Sequence, residues 1–219
     1  MLRMRLGAIL LSIVSLITVN VCGQNISVPE TKITDMLVTD GHFDEAEWEN
    51  ATIVALSKQD SVYLYLKNYK HHILLGIKLP FRMLGYIDMF VDYGEGYVLH
   101  FHSSSQIGER VLADTTWTDK EPPMHWGNAT DWYANEMRND RVKAQELLQK
   151  DPNRNRDQML LETTYPFEGY EYIFNKKRFS SKKWIVRIEV RTAAPGFSSM
   201  IFPANSSRKD SKGWVRIGF

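Results

Sequence analysis

The sequence predicts an all-β protein: a mostly antiparallel β-sandwich with one inserted α-helix. Three observations carry that expectation. Short runs alternate apolar and polar residues with a period of two. Glycine, asparagine, aspartate and serine turns separate them. Only one longer stretch has a helical character, and it interrupts the strands rather than alternating with them.

The N-terminus stands apart from this pattern. Arg3 and Arg5 precede an almost wholly apolar Leu6 to Val19, and Val21-Cys-Gly23 supplies small residues before Gln24. This is the order of a secretory signal peptide, residues 1–23, and the apolar run is too short for a membrane span. Cleavage is expected after Gly23, with lipidation of Cys22 as the alternative, against which Val21 is a bulky predecessor. Cleavage would remove the one cysteine and leave an exported domain, residues 24–219, secreted or periplasmic and held together without disulfides.

The next stretch, VTDGHFDEAEWENA from Val38 to Ala51, crowds Asp40, Asp44, Glu45, Glu47 and Glu49 together. Backbone chemistry accounts for most of them. Asp40-Gly41 is a turn pair, Asp44 suits the N-cap of a short helix, and Glu47 falls at the capping-box position. Phe43 and Trp48 stand where a hydrophobic staple would form.

Strands follow. Val62, Leu64 and Leu66 share one face. Ile73 to Leu79 reads as a buried strand stopped by Pro80. Ile87, Met89 and Val91 oppose Asp88 and Asp92, while Leu99 and Phe101 point inward and His100 and His102 outward. The helix is expected over Asp131 to Lys150, halted by Pro152, within an added loop-helix segment at about 104–152. Tyr170 to Phe174 and Trp184 to Val190 read as a hairpin with Lys176, Lys177, Arg178, Lys182 and Lys183 at a solvated tip. Trp214 to Phe219 reads as a closing strand.

The opening stretch carries a resemblance. Asp40-Gly41, Asp44-Glu45-Ala46 and Trp48, closing on Ala51, resemble the DGxxDEAxW…A start of carbohydrate-binding module family 9-like domains, part of the DOMON-like group. It continues through Ser61 to Leu79, Asp88 to Asp92 and Trp214 to Phe219, and so covers most of 36–219, with only the opening motif specific. The segment from His102 to Pro152 is longer and more polar than in a minimal module of this kind. The resemblance implies a secreted β-sandwich that binds sugars or attaches to carbohydrate-active enzymes, without catalysis of its own. It also implies polar ligand contacts on the strand after Asp88 to Asp92, which places His100 and His102 toward a binding face.

Sugar recognition needs aromatic surfaces against C–H faces and a few fixed polar groups. Trp117, Trp126 and Trp132 lie in a polar, proline-broken stretch without strand alternation, where they could stack on a saccharide or pack the inserted segment onto the sandwich. Arg110 could hold a hydroxyl or carboxylate bidentately, and Glu109 could accept from a sugar, although the two could equally close a sheet edge. His100 and His102, at i and i+2, could instead bridge a metal about 6–7 Å apart, with Asp88, Asp92, Glu109 or His125 as a third ligand. The reading is therefore a saccharide-binding domain using Trp117, Trp126, Trp132, His100, His102 and Arg110, with no cofactor. The alternatives are a small metal-dependent hydrolase built on the two histidines, or an interaction module without sugar binding. No nucleophile elbow or phosphate loop is present. Lys and Arg number 27 against 26 Asp and Glu, and losing Arg3 and Arg5 leaves 25 against 26, or −1. That balance argues against a nucleic-acid partner.

Overall fold

The computed structural model describes residues 25–32, 38–80, 85–113, 122–127, 130–179, 183–192 and 199–219. Two sheets form a sandwich. The larger contains β1 (Asn25–Ser27), β5 (Gly85–Asp92), β6 (Tyr97–Ser103), β7 (Ile107–Ala113), β8 (His125–Trp126), β11 (Lys183–Thr192), β12 (Met200–Phe202) and β13 (Val215–Gly218). Its order is β1-β13-β11-β5-β6-β7-β8, with β12 also paired to β11. The smaller runs β2 (Thr52–Ser57), β3 (Val62–Asn68), β4 (His72–Lys78), β10 (Gly169–Asn175), β9 (Trp132–Ala134). Among the described residues, the named strands pair antiparallel except β1 with β13, and Glu30 makes an isolated parallel bridge to Asn68.

The core lies where the alternation puts it. Val62, Leu64 and Leu66 of β3 and Ile73, Leu75 and Ile77 of β4 face Ile87, Met89 and Val91 of β5 and Leu99 and Phe101 of β6. Each such side chain, fully buried, contributes roughly 1.5–3 kcal/mol of transfer free energy. The inward faces of β10 and β11 add Tyr170, Tyr172, Phe174, Trp184, Val186 and Ile188.

Those last two strands do not form a hairpin. β10 lies in the smaller sheet and β11 in the larger, so the chain crosses between sheets after Asn175. Phe179 is buried in the crossing, against Phe101, Phe174 and Trp184. Two strands of equal alternation pack equally well across a core as side by side, which is why periodicity did not distinguish the arrangements. Arg178 in this crossing pairs with Glu109, so the basic stretch is not wholly a solvated tip.

The helix is also shorter than expected. α1 spans Arg141–Lys150, where the Asp140 carboxylate accepts from the Lys143 N–H and sets the start. Trp132 to Ala134 pair with β10 instead, because Trp132 and Ala134 have a core to enter. A second helix, α2 (Arg156–Thr163), follows Pro152. Ile107–Ala113, inside the segment expected to be an insertion, is a full strand of the larger sheet.

The Val38–Ala51 stretch forms turns, not a helix with a capping box. Glu47 accepts from the Val38 N–H rather than reaching back to Asp44. The staple contact exists nonetheless: Phe43 and Trp48 stack with centroids 5.5 Å apart, and both rings lie on the outer face of the smaller sheet. Gly76 makes room for them, since a Cβ there would come within 2.7 Å of the Phe43 ring and 2.9 Å of the Trp48 ring.

Candidate functional site

The larger sheet turns a second, polar face outward. Its alternation brings Tyr86, Asp88 and Phe90 of β5 beside Arg191, Glu189 and Arg187 of β11 on one side. His102 and His100 of β6 pair with Asp88 and Phe90 on the other side, followed by Gly108 and Arg110 of β7 and then Trp126 of β8. Half of this face is closed. Phe90, Val98, Leu112 and Trp214 form a small apolar cluster there, and the Trp214 indole N–H donates to the Ser207 carbonyl in the connection between β12 and β13. The other half carries three rings in a row: Tyr86, His102 and Trp126, with centroid separations of 5.1 and 5.2 Å. Tyr86 is 39% and Trp126 52% exposed. Trp126 lies against Gly108, where a Cβ would stand 2.9 Å from its ring.

Beneath the rings the polar groups are fixed. Asp88 Oδ1 accepts from His100 Nε2 and His102 Nδ1, each at 2.8 Å. Arg110 Nε donates to His100 Nδ1 at 2.8 Å. A guanidinium has no lone pair to offer, so Nδ1 is the unprotonated nitrogen and the hydrogen sits on Nε2. Burial, assisted by Arg110, lowers the His100 pKa against the opposing pull of Asp88, in keeping with a neutral ring. Burial alone would raise the Asp88 pKa, but the hydrogen bonds from both histidines outweigh it and hold the carboxyl well below its usual range. His102 Nε2 lies 3.1 Å from Ser104 Oγ, so its ring is tied at both nitrogens.

Glu189, 1% exposed, is held in the same way by cations. Arg187, Arg191 and Arg208 all donate to it. Their hydrogen bonds overcome desolvation and bring its pKa down to about 2.

The structure thus brings Trp126, His102, His100 and Arg110 onto one face. It does not bring Trp132 there: that ring is 4% exposed, stacks on Phe174 and Tyr172 between the sheets, and donates its N–H to Glu109. Trp132 is a core residue because β9 continues the inward face of the smaller sheet. Trp117 lies outside the described residues. Glu109 also binds Arg178, which places it in the sheet-closing role rather than on the outer face with His100 and His102. The histidine pair is not arranged as a metal clamp: the free nitrogen of His100 is taken by a cation, and Asp88, the nearest third ligand, is the shared acceptor. Sequence reasoning missed Tyr86, Glu189 and Arg191. Tyr86 sits outward at i−2 from Asp88, a signal that strand alternation supplied. Nothing local marked Glu189, whose arginine partners include Arg208 from a different loop.

A concavity of about 350 Å³ lies between the opening stretch and β9, lined by Asp40, His42, Tyr133, Glu136, Arg138 and Tyr165 among others. The side chains of Glu136 and Arg138 make no hydrogen bond or ion pair with other described residues, in contrast to the tied groups of the larger sheet.

No family model matches the chain, and no curated protein matches it. Among solved structures, it is similar to a proposed carbohydrate-binding protein of Bacteroides uniformis, at 11% identity and a TM-score of 0.45, covering 90% of this chain and 99% of that one. It is also similar to a family 9 carbohydrate-binding module from Caldicellulosiruptor kristjanssonii in complex with cellotriose, at 12% identity and a TM-score of 0.46, covering 89% and 93%. Among the described residues, no helix is long and apolar enough to cross a membrane.

Proposed function

We propose that the protein is an exported, non-catalytic saccharide-binding domain whose ligand lies across the open half of the larger sheet's outer face. The observation that supports this is the row of Tyr86, His102 and Trp126, two half-exposed rings flanking an imidazole fixed from below. Aromatic rings take the C–H faces of pyranose rings, and a few convergent polar groups fix their orientation. The hydrogen-bonded chain of Arg110, His100, Asp88 and His102 holds the surface beneath the ligand already locked in place, which lowers the ordering cost of binding.

A glycan array probed with the purified protein tests the reading. Retention of one class of saccharide is expected. Failure of every glycan to bind would leave an interaction module without sugar recognition. Export rests on the Arg3 to Gly23 pattern, and N-terminal sequencing of secreted material is expected to begin at Gln24. A chain keeping Met1, or starting at a lipid-modified Cys22, would overturn it.

A further inference from the structure

The open face is layered by charge. Its two buried acids, Asp88 and Glu189, lie at the bottom, Glu189 with both oxygens occupied and Asp88 with Oδ1 shared by two histidines. Glu189 receives donors from three arginines, which exceeds the roughly four lone-pair sites of a carboxylate when each N–H is counted: Arg187 gives one, and Arg191 and Arg208 two each. Asp88 Oδ1 takes both histidines, and Arg208 stands 3.9 Å from Oδ2. Arg187 is buried with them, and the other two cations lie nearer the solvent. The Arg191 side chain is 42% exposed and that of Arg208 31%, against 1% for Glu189 and 8% for Asp88. Arg191 pairs in register with Tyr86 on this face, and its Nε and Nη2 donate to Glu189 in the next outward position of the same strand.

Arg187, Arg191 and Arg208 therefore face Glu189 and Asp88, three positive groups against two negative ones, and Arg110 adds a further cation on His100. Asp92, the remaining acid of β5 on this face, lies at its far end and accepts from Ser211 and the Gly94 N–H. Among the described residues, the charged groups that reach the solvent beside Asp88 and Glu189 are the guanidiniums of Arg191 and Arg208. A neutral sugar brings no charge to set against them. A ligand bearing carboxylate or sulfate groups offers them acceptors and negative charge.

We propose that the saccharide recognised by this face is anionic, carrying a uronate carboxylate or a sulfate ester that is read by Arg191 at the Tyr86 end of the row. This rests on the saccharide reading and specifies its ligand class.

Isothermal titration against three oligosaccharides of matched length, one neutral, one an oligouronide and one sulfated, tests it. At least one acidic ligand is expected to bind roughly tenfold tighter than the neutral one, as a charge-assisted contact would give. That advantage should shrink as salt rises from about 50 to about 500 mM. Arg191→Ala, checked by its melting curve, should erase the preference, and Arg191→Lys should restore part of it. The acidic ligand that binds more tightly identifies the group. Equal or better binding of the neutral ligand overturns the proposal, as does a preference that survives Arg191→Ala. If that neutral binding is also lost in Trp126→Ala, the saccharide reading stands without the charge. Acidic binding indifferent to Trp126→Ala keeps the charge and overturns the ring row. Binding of none of the three overturns both.

Discussion

The outer faces of the two sheets are built from the same parts to different ends. On each, a glycine in a strand lets a tryptophan lie on the sheet: Gly76 under Trp48, Gly108 under Trp126. On each, a carboxylate is buried next to the aromatic cluster: Glu171 on the smaller sheet, Asp88 and Glu189 on the larger. The smaller sheet's face is closed by the protein's own chain. Phe43 and Trp48 cover it, and Glu171 accepts from the Asp40 and Gly41 N–H groups and from the Trp48 indole, fastening the opening stretch in place. The larger sheet's face leaves its rings half exposed. The carboxylates record the difference. Glu171 accepts from neutral donors, so burial prevails over those hydrogen bonds, the nearby Glu47 and Asp40 add to it, and its pKa rises to about 7. Asp88 and Glu189 have imidazole and guanidinium partners that prevail over burial, and their pKa values fall. At similar depth, the partner decides the direction. One face is an internal clasp, and the other keeps fixed polar groups under an open surface.

The clasp breaks most visibly at its ring. Trp48→Ala is expected to cost roughly 3–5 kcal/mol, the range for truncating a large buried aromatic, measured by denaturant unfolding. A Trp48→Ala protein of unchanged stability would erase the distinction between the faces.

The carboxylates give a smaller effect with a definite sign. With its folded pKa raised from 4.5 to about 7, Glu171 binds a proton more tightly in the folded state. Its contribution is full below about pH 4.5 and is lost as pH rises through 7, a fall of at most about 3 kcal/mol. Asp88 and Glu189, with lowered values, contribute above about pH 4.5 and lose that contribution as pH falls. Melting temperature against pH should therefore peak near about pH 5 and decline on both sides. Glu171→Gln should flatten the neutral limb alone. A neutral limb that persists in Glu171→Gln would show that another group titrates there.

Asp44→Ala and Glu49→Ala should each change stability by less than about 0.5 kcal/mol, because the turns of Val38–Ala51 contain no capped helix for Asp44 to lose. A loss near 1 kcal/mol in Asp44→Ala would restore the cap that the sequence suggested.

How much the sequence disclosed follows from the range of each interaction. Alternation is local, so the inward faces of β3, β5 and β6, and the outward placing of His100 and His102, were legible. Which sheet a strand joins is not local, and β10 and β11 were accordingly misread as partners. The same limit applies to aromatic density: Trp126 and Trp132 lie six positions apart in one polar stretch, yet Trp126 sits at an exposed edge and Trp132 in the core. Only pairing with β10, a strand much later in the chain, settles Trp132. Glu171 escaped notice for the same reason, because its donors lie more than 120 residues earlier.

The central claim is that the open face of the larger sheet binds saccharide through its exposed rings. The most direct measurement pairs a melting curve with glycan binding on Trp126→Ala. The exposed position of Trp126 predicts a stability change within about 0.5 kcal/mol and roughly a tenfold loss of saccharide affinity, the scale of one lost aromatic contact. A Trp126→Ala protein that binds saccharide as tightly as the parent would contradict the account.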